Sequence, residues 1–167
     1  MPHPAAMNES ELLADCEVRR QRRSGPGGQH RNKVETAIFI EHTPTGIIAE
    51  ASERRSQEAN RRQAIFRLRV KLAVEVRSER GEEHIPSELW KSRCQSGKIV
   101  ISAEHDDFPP LLAEALDCIQ AEASDVKSAA EGLGCSASQL VKFLAKEPLA
   151  LAKVNEERKQ RNLRPLK

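Results

Sequence analysis

An α+β fold is predicted for this chain: a small mixed or antiparallel sheet packed by one long helix, followed by a mostly helical C-terminal segment with a helix-turn-helix-like unit. Three observations predict it. Short β-prone runs crowd into the stretch between residues 16 and 49. An apolar stripe of helical period runs through residues 56–76. From Phe108 onward helix starts and stops alternate with no further strand pattern. The expected organisation is a first domain over 10–80, a connecting segment over 81–107, a helical region over 108–150 and a basic tail over 151–167.

Each element has its own signal. Cys16–Arg23 alternates weakly and suits a strand, and Glu35–His42, with Ile38, Phe39 and Ile40, suits one better. Thr43-Pro44-Thr45-Gly46 places proline second and glycine fourth, as a type I turn prefers. Ile47, Ile48 and Ala49 then begin a further strand, giving a hairpin within a three- or four-stranded sheet. Ser56 opens the long helix, whose residues Ile65, Leu68, Leu72 and Val76 recur at steps of three or four, with Phe66, Val70 and Ala73 beside them. Arg54, Arg55, Arg61, Arg62, Arg67, Arg69 and Lys71 are expected on the opposite, solvent side. Beyond residue 81, Ser87-Glu-Leu-Trp-Lys reads as a short helix with Trp90 in the core, and Lys98–Ser102 as a short strand. Pro109 and Pro110 start a helix carrying Leu112, Ala115, Leu116 and Ile119. Ser124 caps the next, which holds Val126, Ala129, Ala130 and Leu133 and stops at Gly134. Ser136-Ala-Ser-Gln139 has capping-box spacing and opens a helix with Leu140, Val141 and Leu144, and Pro148 stops or restarts it.

Composition narrows the function. Aromatic residues amount to four Phe, one Trp and no Tyr, too few for a platform that stacks bases. The net charge of +2 conceals a segregated layout. Residues 1–80 carry +4, residues 81–150 carry −6 and residues 151–167 carry +4. Two basic zones flanking an acidic one suit a polyanion touched at two places. The four cysteines lack the close spacing of a metal knuckle, and His105-Asp106-Asp107 is too contiguous to surround an ion, so no metal site and no cofactor are expected. The start of the chain reads as neither a signal nor a transit peptide, and no run is long enough to span a membrane. The expectation is a cytoplasmic protein with reduced thiols and no membrane partner.

The stretch Ser24-Gly-Pro-Gly-Gly-Gln-His-Arg-Asn-Lys33 carries the chemistry. Gly27 and Gly28 open backbone angles closed to other residues, so the chain there can press against a ligand. Gln29 brings an amide donor, an amide acceptor and its own backbone N–H. These are parts for handling a polarised carbonyl. Cations crowd both sides: Arg19, Arg20, Arg22, Arg23, Arg31 and Lys33 on one, Arg54, Arg55, Arg61 and Arg62 on the other. They are the candidate RNA-binding residues. No Ser-His-Asp or Cys-His arrangement adjoins the glycines, and His30 has no carboxylate orienter in the sequence near it.

With its Asn32-Lys33, the His42-Thr-Pro-Thr-Gly-Ile47 turn and Glu53-Arg-Arg-Ser-Gln57 before a basic helix, this stretch resembles the catalytic domain of class I peptide chain release factors over about residues 15–80. The resemblance implies hydrolysis of the ester that joins a peptide to the 3′ end of tRNA, in the peptidyl-transferase centre of the large ribosomal subunit. It makes Gly27, Gly28 and Gln29 the catalytic residues, and ribosomal RNA and peptidyl-tRNA the partners. The Gln29 N–H would then meet the developing oxyanion or the leaving 3′-oxygen, a contact typically worth ~3–4 kcal/mol in the transition state.

About fifteen residues precede the first expected strand, leaving no room for the codon-reading domain of full-length factors. The expectation is therefore a short ribosome-rescue hydrolase that acts without a codon. In such proteins a basic tail lies in the vacant mRNA channel, and Lys153, Arg158, Lys159, Arg161, Arg164 and Lys167 offer an equivalent. Two other readings stay open: a release factor for damaged ribosomes or one needing a helper protein, and a nucleic-acid-binding regulator with an inactive loop. The resemblance also leaves room for a glutamine methyltransferase acting on Gln29. In the helix-turn-helix-like unit the candidate recognition helix has only Lys142 and Lys146 as cations and only Gln139 as a base-reading candidate, so a structural or protein-docking role fits it better than RNA or DNA binding.

Overall fold

Alternating apolar residues in the first half dictate a sheet with one buried face. The computed structural model describes residues 2–22, 36–79 and 85–167. The chain divides into two units, Met7–Leu72 and, separately, Met1–Ala6 with Ala73–Lys167.

The unit Met7–Leu72 opens with helix α1, Glu9–Ala14, which the charge and cap signals of its first turn specify. The Asn8 side chain accepts from the Glu11 N–H at 2.9 Å, and the Glu11 carboxylate accepts from the Asn8 N–H at 3.4 Å. That reciprocal box satisfies two donors a helix start leaves bare. Strands β1 (Cys16–Gln21), β2 (Ala37–His42) and β3 (Ile47–Ala51) form one antiparallel sheet in sequence order. Pairing sets Val18 opposite Ile40 and Ile40 opposite Ala49, and sets Arg20, Ile38 and Ala51 in line. Ile38, Ile40, Ala49 and Ala51 are consequently buried, and Glu17, Arg19, Phe39, Glu41, Ile48 and Glu50 alternate onto the other face.

The turn between β2 and β3 closes one residue earlier than the sequence suggests. The N–H groups of Thr45 and Gly46 both donate to the His42 carbonyl, at 3.1 and 2.8 Å. Gly46 leaves the turn at φ +68°, where a side chain would be strained. The long helix appears as α2, Gln57–Glu75, with the Ser56 hydroxyl accepting from the Ala59 N–H. Ile65, Leu68, Leu72 and Ala73 of the expected stripe are buried, whereas Phe66 and Val70 are only half-buried and Val76 falls past the helix end. The deepest line is Asn60, Ala64, Leu68 and Leu72, each 0 % exposed.

Two of the cations expected on the solvent side do different work. Arg67 donates to the Glu50 carbonyl at 2.9 Å and Lys71 to the Ile48 carbonyl at 2.7 Å. Among the described residues β3 is a sheet edge, and these side chains satisfy carbonyls that no further described strand pairs.

The second unit is built on α4, Phe108–Ala121, whose residues from Phe108 to Ile119 are buried except Pro110. Helix α3, Glu88–Arg93, starts on Ser87 and sends Trp90 inward, where the indole N–H donates to the Leu133 carbonyl at 2.8 Å. The strand expected over Lys98–Ser102 is reduced to a two-rung hairpin of β4 (Cys94–Gln95) and β5 (Lys98–Ile99). Its turn residues Ser96 and Gly97 sit at φ +49° and +75°, as a tight hairpin turn requires. The helix-turn-helix-like pair is α5 (Val126–Gly132) and α6 (Ala137–Leu144), and the Ser136 hydroxyl accepts from the Gln139 N–H at 3.2 Å. Phe143 of α6 packs edge-on to Trp90 and Phe108, ring centres 5.7 and 5.3 Å away. His105-Asp106-Asp107 forms no ion cage: Arg93 binds the Asp107 carboxylate at 2.6 Å and lies 3.2 Å from His105.

Helices α4 and α5 end alike. After α5, the Cys135 N–H returns to the Ala130 carbonyl with Gly134 at φ +70°. After α4, the Ser124 N–H returns to the Ile119 carbonyl, but Ala123 stands in the glycine position at φ +51° and Ser124 follows it at φ +65°. Pro148 restarts the chain as α7, Pro148–Gln160, so the boundary expected near residue 150 lies inside a helix. Ala150 and Val154 are buried and anchor it.

Ala123→Gly relieves the left-handed strain and is expected to raise stability by about 1 kcal/mol, read as a later urea midpoint at unchanged slope. A second expectation concerns acid. His3 is buried, its Nδ1 accepting from the Ala5 N–H and its Nε2 3.1 Å from the Val76 carbonyl. Burial holds the pKa of His3, and of buried His42, below the ordinary 6.5. The unfolded chain therefore binds protons more readily, and stability present above the ordinary value is lost as pH falls through it. Melting temperature is expected to drop between about pH 7.5 and about pH 5.5, and less steeply in His3→Gln.

Candidate functional site

The register of the first hairpin decides where the glycine-rich stretch takes root. Gln21 pairs with Ala37, so residues 22 and 36 sit at the same end of two neighbouring strands. Gly27, Gly28 and Gln29 lie outside the described residues, as do Arg23, His30, Arg31 and Lys33. The described residues supply the base from which that stretch departs.

A single side chain organises the base. Asn60, 0 % exposed, donates through Nδ2 to the carbonyls of Thr36 at 2.7 Å and Arg54 at 2.9 Å. Its Oδ1 accepts from the Arg54 N–H, also at 2.9 Å. The carboxamide thus binds both backbone groups of Arg54 while holding the last residue before β2. Sequence reasoning passed over Asn60. The signal was present: it stands in phase with Ala64, Leu68 and Leu72, and an amide on a buried stripe needs partners.

The segment Asn60 holds leads into the β3–α2 connection, where Arg54 and Arg55 are exposed. Glu53 stiffens the same connection. Its carboxylate accepts from the Ser52 N–H at 2.9 Å and pairs with Arg67 at 2.5 Å. Backbone N–H groups, then the Arg67 guanidinium, hold the Glu53 carboxyl at about 2. Arg62 is exposed, and Arg61 pairs with Glu9 at 2.9 Å. Arg20 and Arg22 are exposed at the end of β1 from which the glycine-rich stretch departs. Arg19 is held between Glu17 at 3.1 Å and Glu41 at 3.3 Å on the outer sheet face.

The other basic set splits within its own unit. Lys153 pairs with Glu75 at 2.5 Å, and Arg158 donates to the Ser124 and Arg164 carbonyls at 2.5 and 2.8 Å. Lys159, Arg161, Arg164 and Lys167 are exposed. The segment after α7 turns back along the helix, where Asn155 exchanges two hydrogen bonds with the backbone of Leu166, at 2.7 and 3.1 Å.

No group of His, Cys, Asp and Glu among the described residues could hold a metal ion. Burial raises the Cys16 thiol to about 11 and the Cys135 thiol to about 12, so neither is a nucleophile at neutral pH. No described helix is long and apolar enough to cross a membrane.

Known proteins resemble this chain in sequence. The RF-1 domain matches residues 9–105. Peptide chain release factor 1 of Verminephrobacter eiseniae is 44% identical over 100 residues, which are 58% of this chain and 26% of that protein. The factor of the same name from Xylella fastidiosa is 48% identical over 66 residues, 40% of this chain and 18% of that protein. The chloroplastic peptide chain release factor PrfB1 of Arabidopsis thaliana is 45% identical over 69 residues, 41% and 15% of the two chains. This chain spans about a quarter or less of the length of these relatives. With more than half of its residues matched, the Gly-Gly-Gln stretch among them, the chain belongs to the RF-1 domain family, the catalytic-domain family of class I peptide chain release factors.

Proposed function

We propose that this chain hydrolyses the ester between a nascent peptide and tRNA in the peptidyl-transferase centre of the ribosome, and does so without reading a codon. The observation that carries the reading is the Gly27-Gly28-Gln29 triplet inside the matched stretch, rooted at one end of the β1–β2 hairpin beside exposed arginines.

Ester hydrolysis passes through a tetrahedral carbon bearing an oxyanion. The Gln29 backbone N–H donates to that charge or to the leaving 3′-oxygen, and its side-chain amide orients the attacking water. Gly28 keeps the backbone free of a Cβ at the point of closest approach. The rest of the catalysis is positioning, with ribosomal RNA gripped by Arg20, Arg22, Arg54, Arg55 and Arg62 and by arginines released from exposed carboxylates. The exposed Lys159, Arg161, Arg164 and Lys167 provide the second polyanion contact, in the mRNA channel. The exposed side of α6 offers Ser138 and Lys142, with exposed Ala145 just past its end, a surface better suited to a protein than to a phosphate backbone. The reading places the protein in the cytoplasm, with Gln29 a substrate for a methyltransferase.

Peptide release from stalled ribosomes tests the proposal. Gly28→Ala and Gln29→Pro are expected to lower the release rate by about 100-fold or more, and Gln29→Ala by less, because alanine keeps the backbone donor. Ribosome co-sedimentation is expected to persist in all three. Complexes with an empty A site are expected to be released at least as fast as those displaying a codon. Replacing Lys159, Arg161, Arg164 and Lys167 by glutamine is expected to weaken ribosome binding and flatten its salt dependence. Wild-type protein that binds such ribosomes yet releases no peptide refutes the reading.

A further inference from the structure

We propose that Asn60 is a positioning residue for the hydrolysis, acting through Thr36 and Arg54; the inference rests on the function proposed above. Three facts lead to it. First, Asn60 is fully buried on a stripe otherwise apolar, where an alanine or leucine would pack without needing partners. Second, the side chain's three hydrogen bonds all go to backbone outside its own helix: Thr36, at the β2 root of the Gly-Gly-Gln stretch, and Arg54, in the arginine-bearing connection. Third, it takes both the N–H and the C=O of Arg54, so the connection cannot rotate without breaking a bond.

A carboxamide is the only uncharged side chain of this length with two donors and an acceptor at one end. One rigid planar group therefore fixes the distance between the stem that feeds the catalytic triplet and the turn that carries Arg54 and Arg55. In the proposed reaction the triplet must meet an ester while the arginines hold RNA. An error in that spacing shifts the base from which the triplet departs. Displacements of about 1 Å in such supports cost on the order of 100-fold in rate.

The test uses the full chain with Asn60→Asp and Asn60→Ser. The aspartate keeps the acceptor for the Arg54 N–H but sets an oxygen against the Thr36 and Arg54 carbonyls; the shorter serine provides a second variant should the first not fold. Hydrogen exchange at the Arg54 amide reports the clamp directly, and circular dichroism reports folding. The expected result is release slowed about 10- to 100-fold at saturating protein, with the half-saturating concentration unchanged within about twofold. The deficit of Asn60→Asp relative to wild type is expected to shrink as pH falls, because protonation of the introduced carboxyl restores one donor; the serine variant shows no such recovery. Either variant, folded and releasing peptide at the wild-type rate, overturns this inference alone. A wild-type protein that releases nothing overturns the hydrolase reading and this inference with it.

Discussion

Antiparallel pairing of β1 with β2 is the constraint on which the rest of the first unit depends. It brings residues 22 and 36 to one end of the sheet although the residues between them share no strand pattern. A stretch rich in glycine cannot hold its own roots together, because its backbone loses the most freedom on ordering. The cost is met by the stems: Ile38 and Ile40 buried on one face, with paired backbone along both strands. Asn60 then ties the β2 stem to the connection ahead of α2. Apolar burial sets the architecture, and a polar clamp sets the spacing within it.

Most of this architecture was legible in the sequence, because its signals are local and periodic. Alternation in Glu35–His42, the proline-glycine turn and the three-to-four spacing of Ile65, Leu68 and Leu72 each require a single element. What escaped depends on neighbours distant in sequence. Arg67 and Lys71 look like solvent-facing cations until β3 is known to be a sheet edge whose carbonyls need donors. The strand at Lys98 shortens because its partner β4 offers only Cys94 and Gln95. The basic residues after 150 read as a tail by composition, yet buried Ala150 and Val154 make the first part a helix. Of the candidate site, the Gly-Gly-Gln triplet proposed as catalytic stood out by motif spacing and Asn60 did not, since its meaning lies in the carbonyls of Thr36 and Arg54.

Among the partnered cations, two populations differ in a way that composition cannot show. Lys71 and Arg158 donate to backbone carbonyls at a strand edge or just past a helix end. Removing them leaves acceptors to be satisfied some other way, so they belong to folding. Arg19 and Arg61 instead pair with carboxylates while 57% and 34% of their side chains stay exposed. Exposed pairs of that kind contribute only about 0–1 kcal/mol. Exchanging a carboxylate for a phosphate therefore costs little, and each new phosphate contact releases counterions.

Under the proposed function this contrast explains how a chain of net charge +2 can address a polyanion. Binding needs local excess charge rather than a basic average. Arg54, Arg55 and Arg62 supply it at once, and Arg19 and Arg61 add to it when their carboxylates yield. The glutamates beside them prevent a standing cluster of like charge from opposing the fold before a partner is present. Salt acts on both states, but unequally: it screens a weak exposed pair slightly and a multi-phosphate contact steeply. The binding term therefore dominates the ionic-strength response, while the carbonyl-bound cations keep the fold intact over the same range.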